Sequence, residues 1–293
     1  VNNVVTGGEV RIANFNNDVT TAQQAQNTLR NVVFGGTGHL VLGRETDANK
    51  LSFSGLGVVN TASVDARSLK GDVTVFLGDQ VTRFAVEAGQ GELDVFNKGS
   101  TTTAAPANSA ISVIAGTGRL TAELGATAFM EVRGSSADDS LDMSTFTGGD
   151  TAAPAGGSGG ILGGIGGLLN PTPAPTNSPS PAVPQNADVQ LGAGNDYIKL
   201  RAGTVNVNTG DGEDRLEILN LDQAGILTNA DSINGGAGRD VLISNALAFN
   251  NLVAVDSSTG NLVERVVAVE ALEATGTGTI NIDAGAISRD IKE

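Results

Sequence analysis

LGAGNDYIKLRAGTVNVNTGDGEDRLEIL, residues 191–219, alternates glycine-rich turns with short apolar runs. Apolar residues recur every nine positions at Val189, Ile198, Val207 and Leu216, and Gly194, Gly203 and Gly212 recur in the same phase. One nine-residue step is a strand plus a turn, and two steps return the chain to an equivalent place. Asp196 and Asp214 are two steps apart, so they are expected on successive coils of a flattened parallel β-solenoid, stacked on one side. Neighbouring strands lie about 4.8 Å apart. Two acidic turns at that spacing are close enough to share one ion.

The same unit recurs along the chain. Three copies place aspartate after the glycine pair: Gly192, Gly194, Asp196 and Ile198; Gly210, Gly212, Asp214 and Leu216; Gly236, Gly238, Asp240 and Leu242. Four copies place an aliphatic residue there instead: Gly36, Gly38, Leu40 and Leu42; Gly89, Gly91, Leu93 and Val95; Gly116, Gly118, Leu120 and Ala122; Gly276, Gly278, Ile280 and Ile282. The aliphatic copies replace a ligand by a core residue and read as metal-free packing turns. The acidic copies suit a hard cation, which takes six to eight oxygens from carboxylates and backbone carbonyls. Glycine allows the positive φ that turns carbonyls inward. The candidate metal set is therefore Gly192, Gly194, Asn195, Asp196, Gly210, Asp211, Gly212, Asp214, Asp231, Gly236, Gly238 and Asp240, with Ca2+ as the ion.

GGAGRDVLI, residues 235–243, resembles the nonapeptide GGxGxDxUx of hemolysin-type, or repeats-in-toxin, proteins at every specified position, U being a large aliphatic residue. LGAGNDYIK and TGDGEDRLE each lack only its first glycine. The resemblance covers roughly residues 187–243. It implies a parallel β-roll whose turns bind calcium, in proteins exported by bacteria and folded outside the cell. Three places depart from the pattern. Leu216 to Ile233 spans seventeen positions; Asp231 stands nine before Asp240 without its glycines; and GSSADDSLD, residues 134–142, has Asp139 in phase but Ala137 where glycine belongs, which keeps Asp139 out of the candidate set. Residues 263–285 and the SLDMSTFTGG segment near residue 145 resemble segments of bacterial surface-layer proteins and large adhesins, implying a structural role at the cell surface.

Elsewhere, short alternating segments such as DVTVFL, RFAVEAG, ELDVF, ISVIAG and RLTAEL, separated by Gly, Asn, Asp and Ser, predict an all-β chain. Residues 18–31 are the exception: Val19, Ala22, Ala25 and Leu29 fall on one face after Asp18, which predicts one amphipathic helix. Residues 150–187 hold seven of the eight prolines and a dense glycine block, the composition of a linker or loop excursion. The expected organisation is a solenoid-like region over 1–149, that excursion, and a calcium-binding β-roll with a C-terminal β region over 188–293.

With 40 glycines, no Cys or Trp, one His and a net charge of −15, the chain lacks the residue types of most catalytic sites. Such acidity disfavours nucleic acid and anionic membranes and suits divalent cations or plain solubility. No zinc ligand set, phosphate loop or nucleophile elbow occurs. His39, at a spacer position of a GxG turn, is expected on the surface. No run of eighteen apolar residues is present to span a membrane. The start at Val1 reads as a processed, excised or engineered one. The expected function is a non-catalytic, secreted structural protein that binds calcium and assembles with copies of itself at the cell surface, with a cell-surface glycan as a further partner. The alternatives are an adhesin module, a polysaccharide-acting enzyme using paired carboxylates, and turns that carry Asp and Gly only as turn formers.

Overall fold

A computed structural model of the chain describes residues 2–12, 31–43, 61–77, 83–97, 110–125, 127, 129–144, 187–201, 205–219, 232–245, 249, 254–255, 262–263, 265–275, 287 and 289–292. These residues form two ten-stranded parallel sheets, and consecutive strands fall alternately in one and the other. The first sheet contains, in order, β1 (Asn2–Val5), β3 (Asn31–Gly36), β5 (Thr61–Leu69), β7 (Arg83–Ala88), β9 (Ala110–Ile114), β11 (Phe129–Arg133), β13 (Ala187–Ala193), β15 (Val205–Gly212), β17 (Ser232–Gly238) and β21 (Val266–Val267). The second contains β2 (Glu9–Ile12), β4 (His39–Leu42), β6 (Val73–Phe76), β8 (Leu93–Asn97), β10 (Leu120–Leu124), β12 (Ser140–Met143), β14 (Tyr197–Leu200), β16 (Arg215–Ile218), β18 (Val241–Asn245) and β22 (Ala271–Thr275). A small antiparallel pair, β19 (Ala254–Val255) with β20 (Leu262–Val263), stands apart from both. One odd strand, its turn and the following even strand make one layer.

The alternation of apolar and polar residues sets which face of each strand is buried. In β8 and β10 the burial alternates strictly, with Leu93, Val95, Leu120, Ala122 and Leu124 inside. Register then stacks like on like. Val64, Val86, Val113, Val132, Val189, Val207, Ile233 and Val266 form one continuous column in the first sheet. Leu42, Val75, Val95, Ala122, Leu141, Ile198, Leu216, Leu242 and Leu272 form another in the second. β-Branched residues suit the first column because their stiff side chains pack well on a pleated surface. Each fully buried Val, Leu or Ile contributes about 1.5–3 kcal/mol of transfer free energy. The nine-residue phase is explained by this arrangement: Val189 and Val207 belong to one column, Ile198 and Leu216 to the other.

Connections differ sharply at the two ends of the strands. From the first sheet to the second the chain crosses in tight turns, such as residues 37–38, 213–214 and 239–240. From the second back to the first it returns through connections as short as 201–204 or as long as 144–186. The Gly/Pro-rich stretch falls in the longest return. On its two flanks β11 pairs with β13 and β12 with β14, so both sheets run through that point without a break in register.

An all-β parallel fold was expected and is observed. The predicted helix at 18–31 lies outside the described residues except for Asn31, which opens β3 as a strand residue. Among the described residues no helix is long and apolar enough to cross a membrane.

Candidate functional site

Where the chain enters each strand of the second sheet, one inward-facing position repeats in every layer. Register aligns Leu40, Val73, Leu93 and Leu120 along it. The pairs Thr121↔Ser140, Ser140↔Tyr197, Tyr197↔Arg215, Arg215↔Val241 and Val241↔Ala271 then continue it, one residue earlier, through Asp139, Asp196, Asp214, Asp240 and Glu270. The column is thus aliphatic in the first layers and acidic in the later ones. Every member from Leu40 to Asp240 is buried, with Asp196 at 1% and Asp214 and Asp240 at 0% exposure.

Backbone hydrogen bonding changes with the side chain. In the aliphatic layers the N–H at this position donates to a main-chain carbonyl of the next layer: Leu40 to Asp72 O, Val73 to Glu92 O and Leu93 to Arg119 O, at 2.8–2.9 Å. In the acidic layers the carboxylate takes over as acceptor. Leu120 N–H donates to Asp139 Oδ1 (2.7 Å), Asp139 N–H to Asp196 Oδ1 (2.7 Å), and Asp196 N–H to Asp214 Oδ1 (2.8 Å). Asp214 N–H donates to Asp240 Oδ1 and Asp240 N–H to Glu270 Oε2, both at 2.9 Å. Each carboxylate therefore anchors the layer before its own.

An opposed set of bonds runs one residue earlier, on the exposed side of the same turns. Asn195 N–H donates to Asp138 Oδ1 (2.8 Å) and Glu213 N–H to Asn195 Oδ1 (2.9 Å). In the aliphatic region Glu92 N–H donates likewise to Asp72 Oδ1 (2.9 Å). Asx side chains here substitute for main-chain acceptors, their ordinary role in turns.

The second carboxylate oxygen sets the chemistry. Oδ2 of Asp196, Asp214 and Asp240 is buried and has no hydrogen-bond partner. Burying an ionised carboxylate is costly unless a counter-charge accompanies it. Desolvation accordingly pushes the Asp196 carboxyl up to about 7 and that of Asp240 up to about 6, each raised further by its carboxylate neighbours. Asp214 is raised as well, chiefly by burial, with its hydrogen bonds pulling the other way. Asp139 is raised by desolvation too, but both its oxygens are occupied: Ser135 N–H donates to Oδ2 (2.6 Å) and the Ser135 hydroxyl to Oδ1 (3.1 Å).

The glycines shape this edge. Gly210, at φ +108°, has Gly192 O where a Cβ would stand, only 1.8 Å away, and Gly236, at φ +101°, meets Gly210 O in the same way. No L side chain fits there, so the carbonyls of one acidic turn press directly on the glycine of the next. Gly89, Gly91, Gly116 and Gly118 in the aliphatic layers are equally crowded but do not adopt positive φ. Gly36, in the aliphatic copy ahead of Leu40, does adopt positive φ, at +120°, so the difference in backbone conformation holds between the acidic turns and those ahead of Leu93 and Leu120.

Of the residues singled out from sequence, Asp196, Asp214 and Asp240 come together with Gly192, Gly194, Gly210, Gly212, Gly236 and Gly238 on one edge of the stack. Asn195 sits on the exposed side of the turn. Asp211 is exposed, and its main-chain carbonyl, not its carboxylate, serves the turn by accepting Gly194 N–H at 2.9 Å. Asp231 lies outside the described residues; Asp240, not Asp231, follows Asp214 in the column. Asp139 and Glu270 were missed. Asp139 carried the right phase without the glycine, and Glu270 reaches the column with a longer side chain and no glycine pair. Leu40, Leu93 and Leu120 are buried packing residues, while Ile280 lies outside the described residues. His39 is exposed and paired at 2.9 Å with Asp72. Among the described residues no three acidic or imidazole groups converge as a metal-binding cluster, so a cation here would draw on two stacked carboxylates and main-chain oxygens. No known family model, curated protein or solved structure matches the chain.

Proposed function

We propose that the chain is a parallel β-solenoid whose acidic edge binds calcium, and that it serves outside the cell as a non-catalytic structural protein assembling with copies of itself. The observation that carries this reading is the run of buried, unpartnered Oδ2 atoms on Asp196, Asp214 and Asp240, stacked layer on layer beside positive-φ glycines. The donor set fits a hard cation: only carboxylate and carbonyl oxygens are present, and each acidic turn adds one buried charge that needs compensation. Asp196, Asp214 and Asp240 would hold the ion with the carbonyls of their glycine turns. The ion would supply the positive charge that lets those carboxylates stay ionised. Extracellular placement is part of the proposal: oxygen sites with the affinity range of extracellular modules, about 10⁻⁴–10⁻³ M, are filled by millimolar calcium.

A second reading is favoured by the unbroken series of N–H to Oδ1 bonds, under which the aspartates are protonated structural acceptors and no metal binds. Calorimetric titration with calcium at neutral pH separates the two. Binding by the unaltered chain, with affinity lowered at least about tenfold in Asp214→Asn, is expected from the loss of one charged ligand; the amide retains an acceptor for Asp196 N–H, so the fold is kept. Absence of binding at millimolar calcium would leave the protonated column as the correct account.

A further inference from the structure

The two ends of the stack are finished differently. At the C-terminal end residues 287 and 289–292 lie against the last layer: Ile287 joins the core, Ala268 N–H donates to Asp290 Oδ2 (3.1 Å), and Lys292 N–H donates to Glu270 O (2.9 Å). At the N-terminal end β1 and β2 are the outermost strands, each paired on one side only among the described residues. The exposed large hydrophobic side chains of the described residues are Val4, at 75%, and Val10, at 38%, both on this end. Val10 occupies the same inward column as Leu40, which is fully buried one layer further in.

Hydrogen-bond polarity shows what this edge offers. Gly8 O accepts His39 N–H and Ile12 O accepts Gly43 N–H, both at 2.8 Å, so Gly8, Val10 and Ile12 direct their main-chain groups toward β4. Alternation along the strand then turns the N–H and C=O of Glu9 and Arg11 to the open edge. On β1, Val5 O accepts from Thr37 and Gly38, which leaves Asn2 and Val4 facing outward in the same sense. An open edge of this kind is a template for another strand.

We propose that the occupant is a second copy of this chain, its β2 running antiparallel to β2 about a twofold axis at Val10. That register sets Val10 against Val10 and makes Glu9 face Arg11 of the other copy twice. The sequence Glu-Val-Arg is self-complementary about its centre, as an isologous contact requires. Glu9 and Arg11 are also the residues whose outward main-chain groups form the narrow hydrogen-bonded pairs of an antiparallel ladder, so charge pattern and backbone polarity select the same register. Within one copy these two side chains pair with each other on the exposed face; the dimer exchanges that contact for two between chains. The inference builds on the self-association part of the proposed function and is independent of its calcium part.

Sedimentation equilibrium on the full chain, in calcium and in chelator, tests it by charge exchange. The unaltered protein should sediment as a dimer. Glu9→Arg and Arg11→Glu, each placing like charges face to face twice, should each weaken dimerisation at least about tenfold. An equimolar mixture of the two variants should restore association as a heterodimer, and Glu9→Arg combined with Arg11→Glu should restore the homodimer. A monomer with unchanged far-ultraviolet circular dichroism, single variants that dimerise normally, a mixture that stays monomeric, or filaments that grow without limit would each overturn the pairing. A monomer that still binds calcium would remove this interface and leave the cation site standing; a dimer that binds none would do the reverse.

Discussion

One position in each layer separates the molecule into two regions. Leu40, Val73, Leu93 and Leu120 fill it with hydrocarbon, and Asp139, Asp196, Asp214 and Asp240 fill it with buried carboxyl groups, on the same two sheets and in unbroken register. At this position Leu40, Val73 and Leu93 fill the layer with hydrocarbon while their N–H groups donate to main-chain carbonyls, so its cohesion comes from burial and backbone bonding. The acidic layers hand one of those bonds to a carboxylate and thereby take on a charge problem that hydrocarbon never poses. A single substitution in a repeat thus replaces a layer filled with hydrocarbon by one whose buried carboxyl must be protonated or compensated.

The largest effect is expected from moving an acid across the boundary. In Leu93→Asp the new carboxylate finds no N–H to accept, because Val73 N–H already donates to Glu92 O. The result is an uncompensated buried charge costing about 5 kcal/mol, read by urea denaturation. The reverse change, Asp214→Leu, removes a buried charge while orphaning Asp196 N–H, and should cost only about 2 kcal/mol in chelator. Equal penalties for the two would erase the distinction between the regions.

The pH response is expected next. Asp196 and Asp240 are held up at about 7 and about 6 by burial, against an ordinary value of 3.8. Between those limits the folded chain binds more protons than the unfolded one. Without metal, their contribution to stability is fully present below about 4 and is lost as pH rises through 6 and 7. The melting temperature in chelator should therefore fall between pH 5 and pH 8. In calcium the trend should reverse, since a cation competes with those protons and binds better as they leave. A melting temperature flat with pH in chelator would contradict the buried carboxyl column.

Glycine replacement sharpens the comparison at smaller scale. Gly210→Ala combines a φ of +108° with a carbonyl 1.8 Å from the new Cβ, and should cost about 3 kcal/mol. Gly8→Ala, at φ +67° in open space, should cost only about 1 kcal/mol. Urea midpoints would order the two.

Much of this was legible in the sequence because the period was. Counting nine from Val189 found both apolar columns, and the aspartate-for-leucine exchange after a glycine pair separated Leu93 and Leu120 from Asp196 and Asp214. The same rule failed where a connection changed length. Leu216 to Ile233 spans seventeen positions and Asp231 stands nine before Asp240, so the period left the partner of Asp214 open; the longer return through 219–231 brings Asp240 beneath it. Demanding glycine also hid Asp139, whose turn uses Ser135 to occupy its carboxylate. Glu270 was invisible for a different reason: one extra methylene lets it reach the same N–H from a turn with no repeat signature. The end-strand pattern Glu-Val-Arg carried no periodic signal, and its meaning emerged only once the open edge and its hydrogen-bond polarity were known.

Hydrogen exchange resolved by mass spectrometry, with calcium and with chelator at pH 8, tests the central claim most directly. The cation-dependent account predicts that amides of residues 187–218 and 232–245 lose protection when calcium is removed, while those of residues 61–77 and 83–97 exchange unchanged. Protection that is identical in both regions with and without the ion would contradict it.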